Sequence, residues 1–183
     1  MDTIDDKPEG FRRVAAALAE RGHAHAPLWL AVAARTSQEA ADALGVAVGQ
    51  IAKSVIFRRK SDERAVLVVT SGDHRVDEKK VAAITGALGR AGADFVKAKT
   101  GFSIGGVAPI AHSQPPLTLI DRELFRYSEI WAAAGHPNGV FISQALSRLF
   151  VFGLSTSSSE YTQLIANFAD FLVCDARKRS KTT

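Results

Sequence analysis

Lys53-Ser54-Val55-Ile56-Phe57-Arg58, the link Arg59-Lys60-Ser61-Asp62-Glu63-Arg64 and the run Ala65-Val66-Leu67-Val68-Val69-Thr70 decide the fold class of this chain. Ser54 to Arg58 and Ala65 to Thr70 are β-rich, and the polar residues between them make a connection of hairpin type. The two runs should therefore pair antiparallel. Upstream, Phe11, Val14, Ala15, Leu18 and Ala19 fall at helical spacing between Pro8 and Arg21, with Gly22 beyond the end. His23 to Ala34 reads as extended. Thr36 or Ser37 caps a helix through Leu44 with Glu39 in its first turn and Gly45 as its stop, and a short helical turn is expected near Val48 to Ala52.

Downstream, Ser71-Gly72-Asp73 is a turn, and Asp77 or the residue before it opens a helix through Ala87 with Val81, Ile84 and Leu88 inward. Phe95-Val96-Lys97 reads as a short strand leading into a glycine loop. Leu117 to Ile120 is a strand after Pro115-Pro116, and Asp121 begins a turn or short helix. Gly139 to Ile142 is a further strand, and Ser143 caps a helix through Phe150. Short strands interleaved with helices around a central hairpin predict a single α/β domain on a mixed sheet. The domain is placed at residues 1–154. Residues 155–183 read as a tail, with a helical-looking Tyr161 to Asp175 and a basic end.

A chain of 183 residues can bury one core without staples. Cys174 is the sole cysteine, which excludes an intramolecular disulfide and a thiolate metal cluster and suits a reducing compartment. With neither a leader-like start nor a membrane-length apolar run, the chain is expected to be soluble and cytoplasmic. The net charge of +4 is clumped at Arg58-Arg59-Lys60, Lys79-Lys80, Lys97/Lys99 and Arg177 to Lys181, which permits a polyanionic partner as well as a solvated surface.

Three places invite chemistry. The stretch Lys99-Thr100-Gly101-Phe102-Ser103-Ile104-Gly105-Gly106-Val107-Ala108-Pro109 carries three glycines, which let main-chain N–H groups converge on an anion or oxyanion. By itself it also reads as a turn between core elements. Lys53 stands where a helical turn meets an apolar strand, either as an edge lysine or aimed at a ligand. Asp121 ends a strand, where it is either a site residue or a helix cap. No Walker lysine or His-Glu-x-x-His pair is present. His23 and His25 lack the acidic residue or cysteine that would complete a metal site, and no metal or cofactor is expected.

Taken together, Gly45-Val46-x4-Ile51-Ala52-Lys53-Ser54, Val68-Val69-Thr70-Ser71-Gly72, Thr100 to Pro109, Ile120-Asp121 and Ala134-Gly135-His136 resemble the YbaK/ProX family of aminoacyl-tRNA deacylases. The resemblance runs from about Arg35 to Phe150. It implies a mixed, mostly antiparallel, barrel-like sheet with surrounding helices. It also implies hydrolysis, in trans, of the ester joining a wrong amino acid to the 3′ adenosine of a tRNA, usually the tRNA for proline. Carried over by position, Lys53, Gly105 and Gly106 are catalytic, and Ser54, Gly101, Phe102, Pro109, Asp121 and Gly135 bind substrate. Aminoacyl-tRNA is the implied partner, with prolyl-tRNA synthetase a second. Alanine, cysteine, 2-aminobutyrate and serine all remain open as the amino acid. His136 does not match the family's histidine, which lies several residues beyond the glycine. A noncatalytic module that binds aminoacyl-tRNA or a synthetase is the alternative reading.

Overall fold

The structure, a computed structural model, describes residues 3–144 and 174–176. The hairpin predicted from sequence forms its centre: β2 (Ile51–Arg59) pairs antiparallel with β3 (Ala65–Ser71), Lys53 opposite Thr70. All seven residues of β3 are buried, as expected of an apolar run covered on both faces. The remaining strands are β1 (Leu28–Trp29), β4 (His74–Val76), β5 (Leu88–Arg90), β6 (Leu117–Ile120), β7 (Glu129–Ala133), β8 (Gly139–Gln144) and β9 (Cys174–Ala176). The main sheet runs β1-β8-β7-β2-β3-β6, with β5 also on β2; β4 and β9 make a separate pair. Pairings β2/β7 and β3/β6 are parallel and the others antiparallel.

The sheet is mixed and mostly antiparallel, but among the described residues it does not close into a barrel. β1 and β6 are its unjoined edges, and the far side of β2 is divided between β7 at its start and β5 at its end. That division splays the sheet and opens space beside Lys53.

Among the described residues four helices complete the domain: α1 (Glu9–Glu20), α2 (Ser37–Leu44), α3 (Glu78–Thr85) and α4 (Ala93–Thr100). On one face Phe11, Val14 and Leu18 of α1 and Val96 of α4 pack with Leu67, Val69 and Phe141; on the other, Val81 of α3 packs with Val66, Val68 and Leu119. The period-2 alternation of β3 thus serves two cores. Thr36 caps α2 through the Glu39 N–H, and the Glu39 side chain returns to the Thr36 N–H.

Several local expectations change. Phe95 to Lys97 belongs to helix α4, where Asp94 in the first turn, Lys97 and Lys99 in the last, and buried Val96 and Thr100 four apart outweigh the β propensity of Phe-Val. The glycine loop therefore follows a helix. Leu88 lies in β5 and Ile84 is exposed, since α3 ends at Gly86. Ala17, not Ala19, joins the buried stripe of α1. Ser143 continues β8 opposite Ile130. The rest of the helix expected through Phe150 lies outside the described residues, as does Tyr161 up to residue 173, and Cys174-Asp175, expected as helix, pairs with β4.

Candidate active site

A cavity of about 490 Å³ opens where β7 and β5 part from β2. Lys53 and Ser54 line it from the sheet, Ile104, Gly105 and Val107 from the glycine loop, and Arg35 from the approach to α2. Among the described residues its lining includes two strong cations, Lys53 and Arg35, and no carboxylate. Such a space attracts an anionic or carbonyl-bearing ligand.

Lys53 is fixed by its neighbours. Its Nζ donates to the main-chain carbonyl of His74 at 3.0 Å. His74 is buried, and its Nδ1 lies 3.0 Å from Asp121 Oδ2. Asp121, fully buried at the end of β6, accepts from Thr70 Oγ1 (3.2 Å), Ser71 N (3.3 Å) and Glu123 N (3.1 Å). The last of these caps the short helical turn Arg122–Arg126. Both sequence readings of Asp121 are thereby resolved in geometry: it caps a turn and anchors His74, and it does not line the cavity. Burial alone would raise the Asp73 carboxyl, but hydrogen bonds from Ser71 and Arg126 outweigh it and hold the group below its ordinary range. Asp73 so pins the turn that carries His74.

The loop wall is built differently. Gly105 has φ +93°, and Gly106 donates its N–H to the Ser103 carbonyl at 3.1 Å, closing the turn. A Cβ on Gly106 would come within 2.7 Å of the His136 backbone, so only glycine permits this approach. Of the two amides expected to meet an oxyanion, the Gly106 N–H is therefore occupied within the loop, and Gly105 is the one that lines the cavity.

Gly101, Phe102 and Pro109 lie beneath the loop rather than in the cavity. Gly101 terminates α4, Phe102 is buried under the Arg13 guanidinium 4.4 Å from its ring centroid, and Pro109 is buried. Gly135 packs against α1: its Cβ would meet the Gly10 carbonyl oxygen at 2.3 Å. His136 stacks on Trp29 at 4.8 Å, and its Nδ1 accepts from Asn138 N. His112 sits edge-on to Phe102, and burial pushes its imidazole down to about 4, with the Arg13 charge adding to the effect and a hydrogen bond to Ala108 opposing it.

The structure thus brings Lys53, Ser54 and Gly105 together and sets Gly101, Gly106, Phe102, Pro109, Asp121 and Gly135 around them as supports. The sequence reading missed His74 and Thr70. The register Lys53 to Thr70, followed by a Gly-Asp turn and then histidine, is the signal that could have found them.

An α/β domain with a cationic cavity between a lysine-bearing strand and a glycine loop is the class that these features define. The aminoacyl-tRNA editing domain family matches residues 31–146, and the chain belongs to that family. It is 35% identical over 104 residues to the uncharacterized protein YwhH of Bacillus subtilis (strain 168), covering 56% of this chain and 66% of YwhH. It is 40% identical over 78 residues to a proline–tRNA ligase of Pelotomaculum thermopropionicum, a match spanning 42% of this chain and 13% of the ligase. The chain thus matches just under two thirds of the first relative and a small part of the second. Among solved structures, one described as a candidate trans-editing enzyme for prolyl tRNA synthetase superposes with a TM-score of 0.74 at 38% identity, covering 80% of this chain and 94% of that one. A hypothetical protein, APE2540, gives 0.67 at 27% identity over 77% and 94%. Among the described residues, no helix is long and apolar enough to cross a membrane.

Proposed function

We propose that this chain is a cytoplasmic trans-editing hydrolase that removes a wrong amino acid from aminoacyl-tRNA. The substrate that the relatives favour is tRNA for proline carrying a small residue such as alanine, cysteine or 2-aminobutyrate. The observation that carries the reading is that Lys53 and Gly105 line one cavity in a chain of the editing family.

The chemistry needs little from the protein, because an aminoacyl ester is already reactive. Water attacks the ester carbonyl and forms a tetrahedral oxyanion; the ribose oxygen leaves and takes a proton, giving free amino acid and tRNA. The main-chain N–H of Gly105 stabilises the oxyanion, and positioning supplies much of the remaining rate enhancement. Lys53, held by the His74 carbonyl, meets the terminal phosphate or the substrate carbonyl. The neighbouring ribose hydroxyl assists proton transfer. A synthetase cannot strongly reject an amino acid smaller than its own, and a second hydrolytic cavity that admits the smaller product repairs the error. Prolyl-tRNA synthetase is the partner this role implies.

The test is a deacylation panel: tRNA for proline charged with alanine, cysteine, 2-aminobutyrate or proline, and alanine on its own tRNA. Hydrolysis of at least one small non-cognate ester, with prolyl-tRNA spared, supports the proposal. No turnover on any member would overturn it and leave the binding-module reading.

A further inference from the structure

Among the described residues, the edge of β2 inside the cavity presents main-chain groups with no strand opposite them. β3 covers one side of β2 from Ala52 to Arg58. On the other side β7 reaches only Ile51 and Ala52, and β5 begins only at Phe57. Lys53 to Ile56 lie between, and all four line the cavity.

The strand's end shows which groups face the gap. Arg59 N–H donates to the Arg64 carbonyl across the hairpin, whereas Lys60 N–H donates to the Ala87 carbonyl on the β5 side, each at 2.9 Å. Main-chain direction alternates along a strand, so Ser54 and Ile56 turn their N–H and C=O groups away from β3. Val69, opposite Ser54, agrees: its carbonyl accepts from Asp121 N at 2.8 Å on the side away from β2. An independent observation points to the same place. Ser54 Oγ is buried with no hydrogen-bond partner among the described residues, although buried polar groups are ordinarily paired.

We propose that this open edge receives the aminoacyl group itself as a one-residue parallel β-bridge opposite Val55, its α-ammonium donating to the Ser54 carbonyl and its ester carbonyl accepting from the Ile56 N–H. The assignment rests on the editing reading above and specifies how that site holds its substrate. In a parallel ladder one residue's N–H and C=O meet the carbonyl before and the N–H after its opposite number, and the bridge continues the parallel pairing that β7 starts at Ile51 and Ala52. With no carboxylate in the lining, the ammonium is met by neutral acceptors, the Ser54 carbonyl and hydroxyl. The Ile56 N–H also supplies from the sheet a donor that the loop lacks, since the Gly106 amide is taken by Ser103. Recognition of this kind reads the α-amino acid backbone as peptide-binding sheet edges do, and leaves side-chain choice to the cavity walls.

The experiment is an NMR titration of the ¹⁵N-labelled full chain with 3′-alanylamino-3′-deoxyadenosine, a non-hydrolysable amide analogue, and with its 3′-propionylamino counterpart, which lacks the α-amine. The alanyl compound should shift the Ser54 and Ile56 amides and slow exchange of the Ile56 proton. The propionyl compound should bind about tenfold more weakly, the loss expected for one hydrogen bond from a charged donor. Equal affinity of the two, shifts at Lys53 and Gly105 without any at Ser54 and Ile56, or no binding of either would overturn the assignment. Because the titration reads binding, failure of the editing reading shows separately, as absent hydrolysis of charged tRNA by the same preparation.

Discussion

The two walls of the cavity hold their functional groups by opposite means. Lys53 stands on a sheet strand, tied to His74 and through it to the buried carboxylate of Asp121, so its position is set by hydrogen bonds within the core. Gly105 stands on a loop whose shape comes from close approach: Gly106 against the His136 backbone, and Phe102 beneath Arg13. A charge needs a polar anchor to stay in place, whereas main-chain donors need only a backbone that no side chain holds away. The sheet wall should therefore fail through lost polar partners, and the loop wall through added atoms.

Replacement on the sheet wall should have the larger effects. Lys53→Ala is expected to lower single-turnover deacylation about a thousandfold while leaving the thermal midpoint nearly unchanged; full activity in that variant would remove Lys53 from the chemistry. Asp121→Ala leaves Thr70, Ser71, His74 and Glu123 without their common acceptor. It should cost about 3 kcal/mol in denaturant unfolding, and a loss below about 1 kcal/mol would show the network to be slack.

On the loop wall, Gly106→Ala should displace the turn by a few tenths of an ångström and reduce deacylation about tenfold, with native far-UV circular dichroism. Unchanged kinetics would mean that the loop relaxes freely. The effect confined to acid concerns pH. Folded His112 stays neutral down to about 4 against an ordinary value of 6.5, so between those values the unfolded chain binds more protons. Its contribution to stability is present above 6.5 and is lost as pH falls through this window. His112→Phe should flatten the stability curve there by up to roughly 1 kcal/mol per pH unit; an unaltered slope would place the acid sensitivity elsewhere.

The same contrast explains what could be read from residues alone. The β2/β3 hairpin, α1, the Thr36 cap and the strand before Asp121 were legible because alternation, helical spacing and capping chemistry are local. Helix α4 was misread because Phe-Val favours strands, while its caps and the burial of Val96 and Thr100 favour a helix. β7 escaped notice because only Ile130 and Trp131 favour a strand, the alanines that follow do not, and the segment is held by partners distant in sequence. At the site, Lys53 and the loop were visible as residue types in unusual settings. His74 was not, because its role depends on a register that only pairing defines, and the support roles of Gly135 and Asp121 rest on contacts made across the fold.

The most direct test of the central claim is single-turnover hydrolysis of alanyl-tRNA and prolyl-tRNA, both on the tRNA for proline, by the native chain and by Lys53→Ala. The two-walled site predicts rapid loss of the alanyl ester, a stable prolyl ester, and neither hydrolysed by the variant. Hydrolysis of both esters alike, or of the alanyl ester by the variant at the native rate, would contradict it.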